Sequence, residues 1–146
     1  MPNIHDFITE QEEQEIINAI ITAESNTSGE IRVHIENHTN LPPFERAQQV
    51  FFALKMDNTR NRNGLLFYVG VEDHSFVILG DKGINDLVEP DFWDKTKNLV
   101  ISYFKKGQYK QGLVEGILKA GSKLKSLFPY DPDSDNDELP NEISKG

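Results

Sequence analysis

The spacing of apolar residues changes repeatedly along this chain, and each change marks an element. Ile16, Ile17, Ile20 and Ile21 form one stripe at helical spacing. Upstream, Thr9 followed by Glu12 reads as a capping box. A helix is expected from about Thr9 to Ser25, stopped by "NTSG" at Asn26 to Gly29. The pattern then switches to period two. In "EIRVHIEN", Ile31, Val33 and Ile35 share one face and Arg32, His34 and Glu36 the other, a strand with one buried face. The other face reads as wet or as part of an edge strand. After Pro43, which suits a first helical turn, Ala47, Val50, Phe51 and Leu54 restore the helical period.

"DNTRNRNG" (Asp57 to Gly64) is a polar loop, and "LLFYVGV" (Leu65 to Val71) is a continuous apolar run expected to be covered on both faces. Only "EDHS" separates it from "FVIL" (Phe76 to Leu79). Four residues cannot make a parallel crossover, so the two runs form an antiparallel hairpin. "GDKGINDLVEP" reads as a turn and loop with room for a short fourth strand, and no helix is expected directly after "GDKG". Phe92, Thr96, Leu99, Val100 and Tyr103 mark a third helix, broken at Gly107; a fourth runs from about Tyr109 to Phe128. Within it Gly112, Gly116 and Ala120 recur every four residues, which permits close helix approach or weakens the helix.

The order α-β-α-β-β-α-α predicts an α/β/α sandwich: a small mixed sheet of three to four strands, Rossmann-like, with helices on both faces. A crossover through the second helix makes the first two strands parallel. The loops before both strands, and the loop after the third, then gather at one edge of the sheet. That edge would bring together Glu30, Asp57, Asp81 and Asp86, with the chain after Phe128 starting beside them.

Length and composition refine this picture. At 146 residues the chain fits one α/β domain, residues 1–128, plus an acidic C-terminal loop, residues 129–146, packed on it or extending from it. The net charge is −9, which disfavours nucleic acid and anionic membrane as partners. Pro129 to Gly146 holds six acids and one lysine, more than half of that charge. There is no cysteine, so disulfides and thiolate chemistry are excluded. With no secretory signal pattern and no apolar run of membrane-spanning length, a soluble cytoplasmic protein without membrane insertion is expected.

The sharpest chemical signal is "DPDSDNDELPNE", Asp131 to Glu142. Calcium takes about six to eight oxygen ligands, and the EF-hand loop spaces them at alternate positions. Asp131, Asp133, Asp135, Asp137 and Glu142 fall on that template. Asn136 stands where the template wants glycine, and too few residues follow Glu142 for an exiting helix. A true EF-hand is therefore not expected. A composite calcium or magnesium site is, with Glu30, Asp81 and Asp86 from the sheet edge completing the tail's carboxylates. The expected function is a metal-dependent interaction with a protein partner. His5, His34, His38 and His74 are scattered without zinc spacing, and no nucleophile motif such as G-x-S-x-G occurs.

Four stretches together, "TSGEIRVHIE", "NRNGLLFYVG", "FVILGDKGIN" and "FKKGQYKQGLVEGI", resemble the TPM domain family, in its stand-alone bacterial cytoplasmic form. The resemblance implies an α/β/α sandwich, divalent-cation binding, and the acid phosphatase activity credited to some members. Members often carry an aspartate just before the Asn-Gly that opens the second strand; this chain has Arg62 there. Asp81 in "GDKG" matches the family pattern. The readings left open are a non-enzymatic cation-binding domain, a metal-assisted phosphatase, and an interaction scaffold that needs no metal.

Overall fold

The structure, a computed structural model, describes residues 4–130 and 139–146. One turn of helix, α1 (Ile4–Phe7), precedes α2 (Glu10–Glu24). The capping box at the start of α2 is complete: Glu12 N–H donates to Thr9 Oγ1 at 3.1 Å, and Thr9 N–H donates to Glu12 Oε1 at 3.0 Å. Strand β1 (Glu30–Glu36), helix α3 (Pro43–Ala53) and strand β2 (Gly64–Gly70) form a parallel crossover unit. Strand β3 (Ser75–Gly80) returns antiparallel to β2 as the second half of a hairpin. Then come α4 (Lys82–Asn85), α5 (Asp94–Phe104), α6 (Tyr109–Leu127) and β4 (Ser144–Lys145). The sheet order is β3-β2-β1-β4.

Two findings differ from the sequence reading. The segment after β3 holds no strand. It forms α4, with Asp81 as N-cap, so a helix begins inside "GDKG", at Lys82. Four residues are too few to show helical periodicity. The fourth strand is instead the end of the chain, which pairs in parallel with β1. Two residues carry too little pattern to announce a strand.

The period-two split of β1 organises both layers. Ile31, Val33 and Ile35 join Leu65, Phe67 and Val69 of β2 in the larger core, under α2, α5 and α6. Gly112 and Gly116 seat α6 against α5, because a Cβ at either would collide with Val100 or Tyr103. The small-residue spacing therefore serves close approach. On the opposite face Leu66 and Tyr68 meet Ala47, Val50 and Phe51 of α3, with Met56 and Leu139. All seven residues of β1 and all seven of β2 are buried.

Candidate functional site

Two polar centres lie on the α3 side of the sheet. The first is built on β1, whose alternation points Arg32, His34 and Glu36 toward α3 and the returning chain end. Glu36 is 3% exposed. Its carboxylate accepts four hydrogen bonds. Arg46 of α3 grips it with Nε on Oε2 and Nη2 on Oε1, both at 2.9 Å. Tyr68 of β2 donates its hydroxyl to Oε2 at 2.6 Å. His34 Nε2 lies 2.9 Å from Oε1. Since an ionised carboxylate only accepts, a neutral His34 must carry its proton on Nε2. Nδ1 is then left to accept from Ser144 Oγ at 2.9 Å. Glu142 is near enough to Arg32 to attract its guanidinium.

Burial alone would raise the Glu36 carboxyl. The bonds from Arg46, Tyr68 and His34 outweigh it and hold the group down to about 2. Burial, then the bond to Glu36, pushes the Tyr68 hydroxyl up. Burial pushes His34 down, against the attraction of Glu36. All four lone-pair directions of Glu36 are occupied from within the protein. The cluster therefore works as a structural clamp joining β1, β2, α3 and the chain end.

These shifts set a pH dependence. Both folded values are lowered, so both stabilise at higher pH. The His34 contribution is fully present above the ordinary value of 6.5 and is lost as pH falls through its folded value. The Glu36 contribution is present above 4.5 and is lost as pH falls toward about 2. Urea midpoints measured from pH 8 to pH 3 should fall in two stages. His34→Gln should flatten the stage that begins near 6.5 and leave the more acidic one. Parallel curves for the two proteins would contradict the assignment.

The second centre lies at the edge where β1 and β2 begin. Glu30 pairs with Gly64 in the parallel register, and Asp81 N–H donates to Gly64 O at 2.9 Å, so β1, β2 and the residue just after β3 form a row. Asp81 is buried, and its carboxylate has partners. Arg62 binds it side-on, Nε to Oδ2 at 2.8 Å and Nη2 to Oδ1 at 3.0 Å. The Lys82 N–H adds a bond to Oδ1 at 2.7 Å. Arg62 holds this position at φ +49°, in the left-handed region. Gly83 N–H donates to Arg62 O at 2.8 Å, and any side chain at Gly83 would be driven into the carbonyl oxygen of Asn61. Asp86 pairs with Lys82 at 2.7 Å on the exposed surface. A cavity of about 330 Å³ opens beside this cluster, lined by Arg62, Asp81, Lys82 and Asn85 with Phe51 and Phe52.

Of the residues singled out as metal ligands, Glu30, Asp81 and Asp86 thus lie at this edge, each bonded within the protein. Glu142 sits further up, alongside β1. Asp131, Asp133, Asp135 and Asp137 lie outside the described residues. Both ends of the intervening segment are fixed at the edge. Tyr130 N–H donates to Asn26 O at 3.3 Å, and Leu139 N–H donates to the Glu30 carboxylate. Among the described residues, no group of three or more His, Asp or Glu side chains is placed to hold a metal ion.

Sequence reasoning missed the Glu36 clamp and the Arg62–Asp81 pair. The available signals were Tyr68 inside an otherwise apolar strand and a basic residue, Arg46, one position before the apolar stripe of α3.

Residues 4–123 match the family model described as TPM domain. The chain is 57% identical to the BA42 protein of the psychrophilic bacterium Bizionia argentinensis, whose NMR structure superimposes with a TM-score of 0.92 over 100% of both chains. The N-terminal domain of a P. gingivalis protein gives 17% identity and a TM-score of 0.71, covering 86% of this chain and 81% of that one. The N-terminal domain of cg2496 from Corynebacterium glutamicum gives 16% and 0.64, over 80% and 73%. The last two show the fold alone. None of the curated proteins matches the chain. No helix among the described residues is long and apolar enough to cross a membrane.

Proposed function

The chain belongs to the TPM domain family, and from that premise we propose that it is a non-enzymatic, divalent-cation-binding domain in which calcium or magnesium organises residues 131–138. The observation that carries the reading is the anchoring of both ends of that segment at one sheet edge, at Tyr130 and Leu139. Eight residues with aspartates at alternate positions span the gap between these anchors. Hard oxygen donors at that spacing suit calcium, or magnesium with retained waters. Asp81 and Asp86 already hold Arg62 and Lys82, so the donors come chiefly from Asp131, Asp133, Asp135 and Asp137. A metal that orders this segment would present it to a protein partner.

At a metal concentration about 100-fold above Kd, binding adds roughly 2.7 kcal/mol, or about 5–11 °C in Tm for a domain of this size. Melts in EDTA and in millimolar calcium or magnesium should differ by that order. The difference should vanish in Asp133→Ala with Asp135→Ala. Identical melts for the parent protein would overturn the reading.

The metal-assisted phosphatase reading draws on the cavity beside Arg62 and Lys82. It requires Arg62 to leave Asp81 and take a phosphate. Metal-dependent turnover of a generic phosphate ester, lost in Asp81→Asn, would favour it over the non-enzymatic reading.

A further inference from the structure

A second cavity, of about 420 Å³, lies at the opposite end of the sheet, where β2 ends and its hairpin turns into β3. In α/β sheets, ligands bind outside the carboxyl ends of parallel strands, and this is such a position. Its size falls within the range that holds a small organic ligand. The walls are apolar: Phe7, Val69, Val71, Ile101, Phe104 and Tyr109. Three of these rings form an ordered aromatic corner. Phe7 stacks on Tyr109 at 4.3 Å between centroids and meets Phe104 edge-on at 5.7 Å. Ring faces and edges set in this way favour another ring or a short alkyl chain. Gly70, with no side chain, forms part of the floor.

The polar groups are few and lie on the hairpin and at the end of α5. Ser75 Oγ is buried and has no hydrogen-bond partner among the described residues. His74 occupies the hairpin turn at φ +51°. Lys105, at the C-cap of α5, lines the cavity and makes no ion pair among the described residues. Asp6, the one carboxylate in the lining, is engaged within the protein. Lys105 is thus the one amine in the lining, beside a cavity whose other walls are mostly apolar.

We propose that this cavity binds a small monocarboxylic acid with a ring-sized apolar body, the body against Phe7, Phe104 and Tyr109 and the carboxylate at Lys105. The charge of Lys105 selects the acid over a neutral molecule of equal size. The site is independent of the cation reading, because it lies at the other end of the sheet from the anchors Tyr130 and Leu139.

The test uses the full chain, with 4-phenylbutyrate and its neutral counterpart 4-phenyl-1-butanol as probes, followed by amide NMR shifts. Saturable shifts at up to millimolar concentration should fall on Phe7, on Val69 to Ser75 and on Ile101 to Tyr109. Lys105→Met, at an exposed position, should weaken the acid about tenfold and leave the alcohol within about twofold, the size of one charge-assisted contact. Ile101→Trp should weaken both probes by filling the cavity. No saturable shifts, or shifts centred elsewhere, would overturn the proposal. So would equal binding of the acid to the parent and to Lys105→Met, which would leave an apolar cavity without preference for acids.

Discussion

Replacing Glu36 by alanine should lower the unfolding free energy by about 3–5 kcal/mol, the range for breaking a buried, hydrogen-bonded ion pair. The loss has several sources. Arg46 would keep its charge beside a face that no longer carries a carboxylate. Tyr68, fully buried, would hold a hydroxyl with nothing to receive its proton. His34 would lose the acceptor that fixes its tautomer, and with it the fixed direction of its bond to Ser144. Each orphaned group carries its own desolvation penalty. Tyr68→Phe, which removes one of the four bonds, should cost only about 1–2 kcal/mol. Urea unfolding followed by far-UV circular dichroism checks both. A loss below about 1 kcal/mol for Glu36→Ala is what exposed pairs give, and would mean that the clamp is solvated. The variant should also loosen the chain end, so amide exchange at Ser144 to Gly146 should rise well above exchange in β2.

That clamp shows where sequence reading stops. Strands β1, β2 and β3 and helices α2, α3, α5 and α6 are all legible, because each repeats its period over enough residues to stand above chance. The capping box at Thr9 and Glu12 is legible because its chemistry is local. The polar face of β1 reads as wet because Arg32, His34 and Glu36 are polar. Its burial depends on α3 and on Leu139 to Gly146 lying across it. That return crosses more than a hundred positions of sequence and shows no pattern of its own beyond two strand residues. The edge of the sheet is a middle case. Topology alone brings Glu30, Asp57, Asp81 and Asp86 to one side. It does not reveal that Arg62, in a left-handed conformation that disfavours arginine, reaches Asp81 from a loop nineteen positions away. Polar residues in loops carry no periodicity, so their pairings follow only from three-dimensional placement.

Arg62 is also where the chain departs from the pattern its family resemblance implies, and the departure predicts an exchange of cations. In Arg62→Asp the buried Asp81 carboxylate loses both guanidinium bonds and gains a like charge close by. Repulsion should lower the melting temperature in EDTA. The backbone pulls the other way, since aspartate tolerates φ +49° better than arginine does. Arg62→Asn separates the two effects, because asparagine has the same backbone tolerance without the charge. In EDTA the aspartate variant should therefore melt below the asparagine variant. Two carboxylates side by side, with Asp57 near enough to attract Arg62 in the parent, form a better divalent site than one carboxylate already paired. Calcium or magnesium should then raise the melting temperature of Arg62→Asp by more than it raises that of the parent or of Arg62→Asn. If the aspartate and asparagine variants melt together in EDTA and respond alike to metal, Arg62 is not standing in for a cation at this edge. If the aspartate variant alone gains this extra rise, the guanidinium of Arg62 and a bound divalent ion are alternative ways of neutralising Asp81.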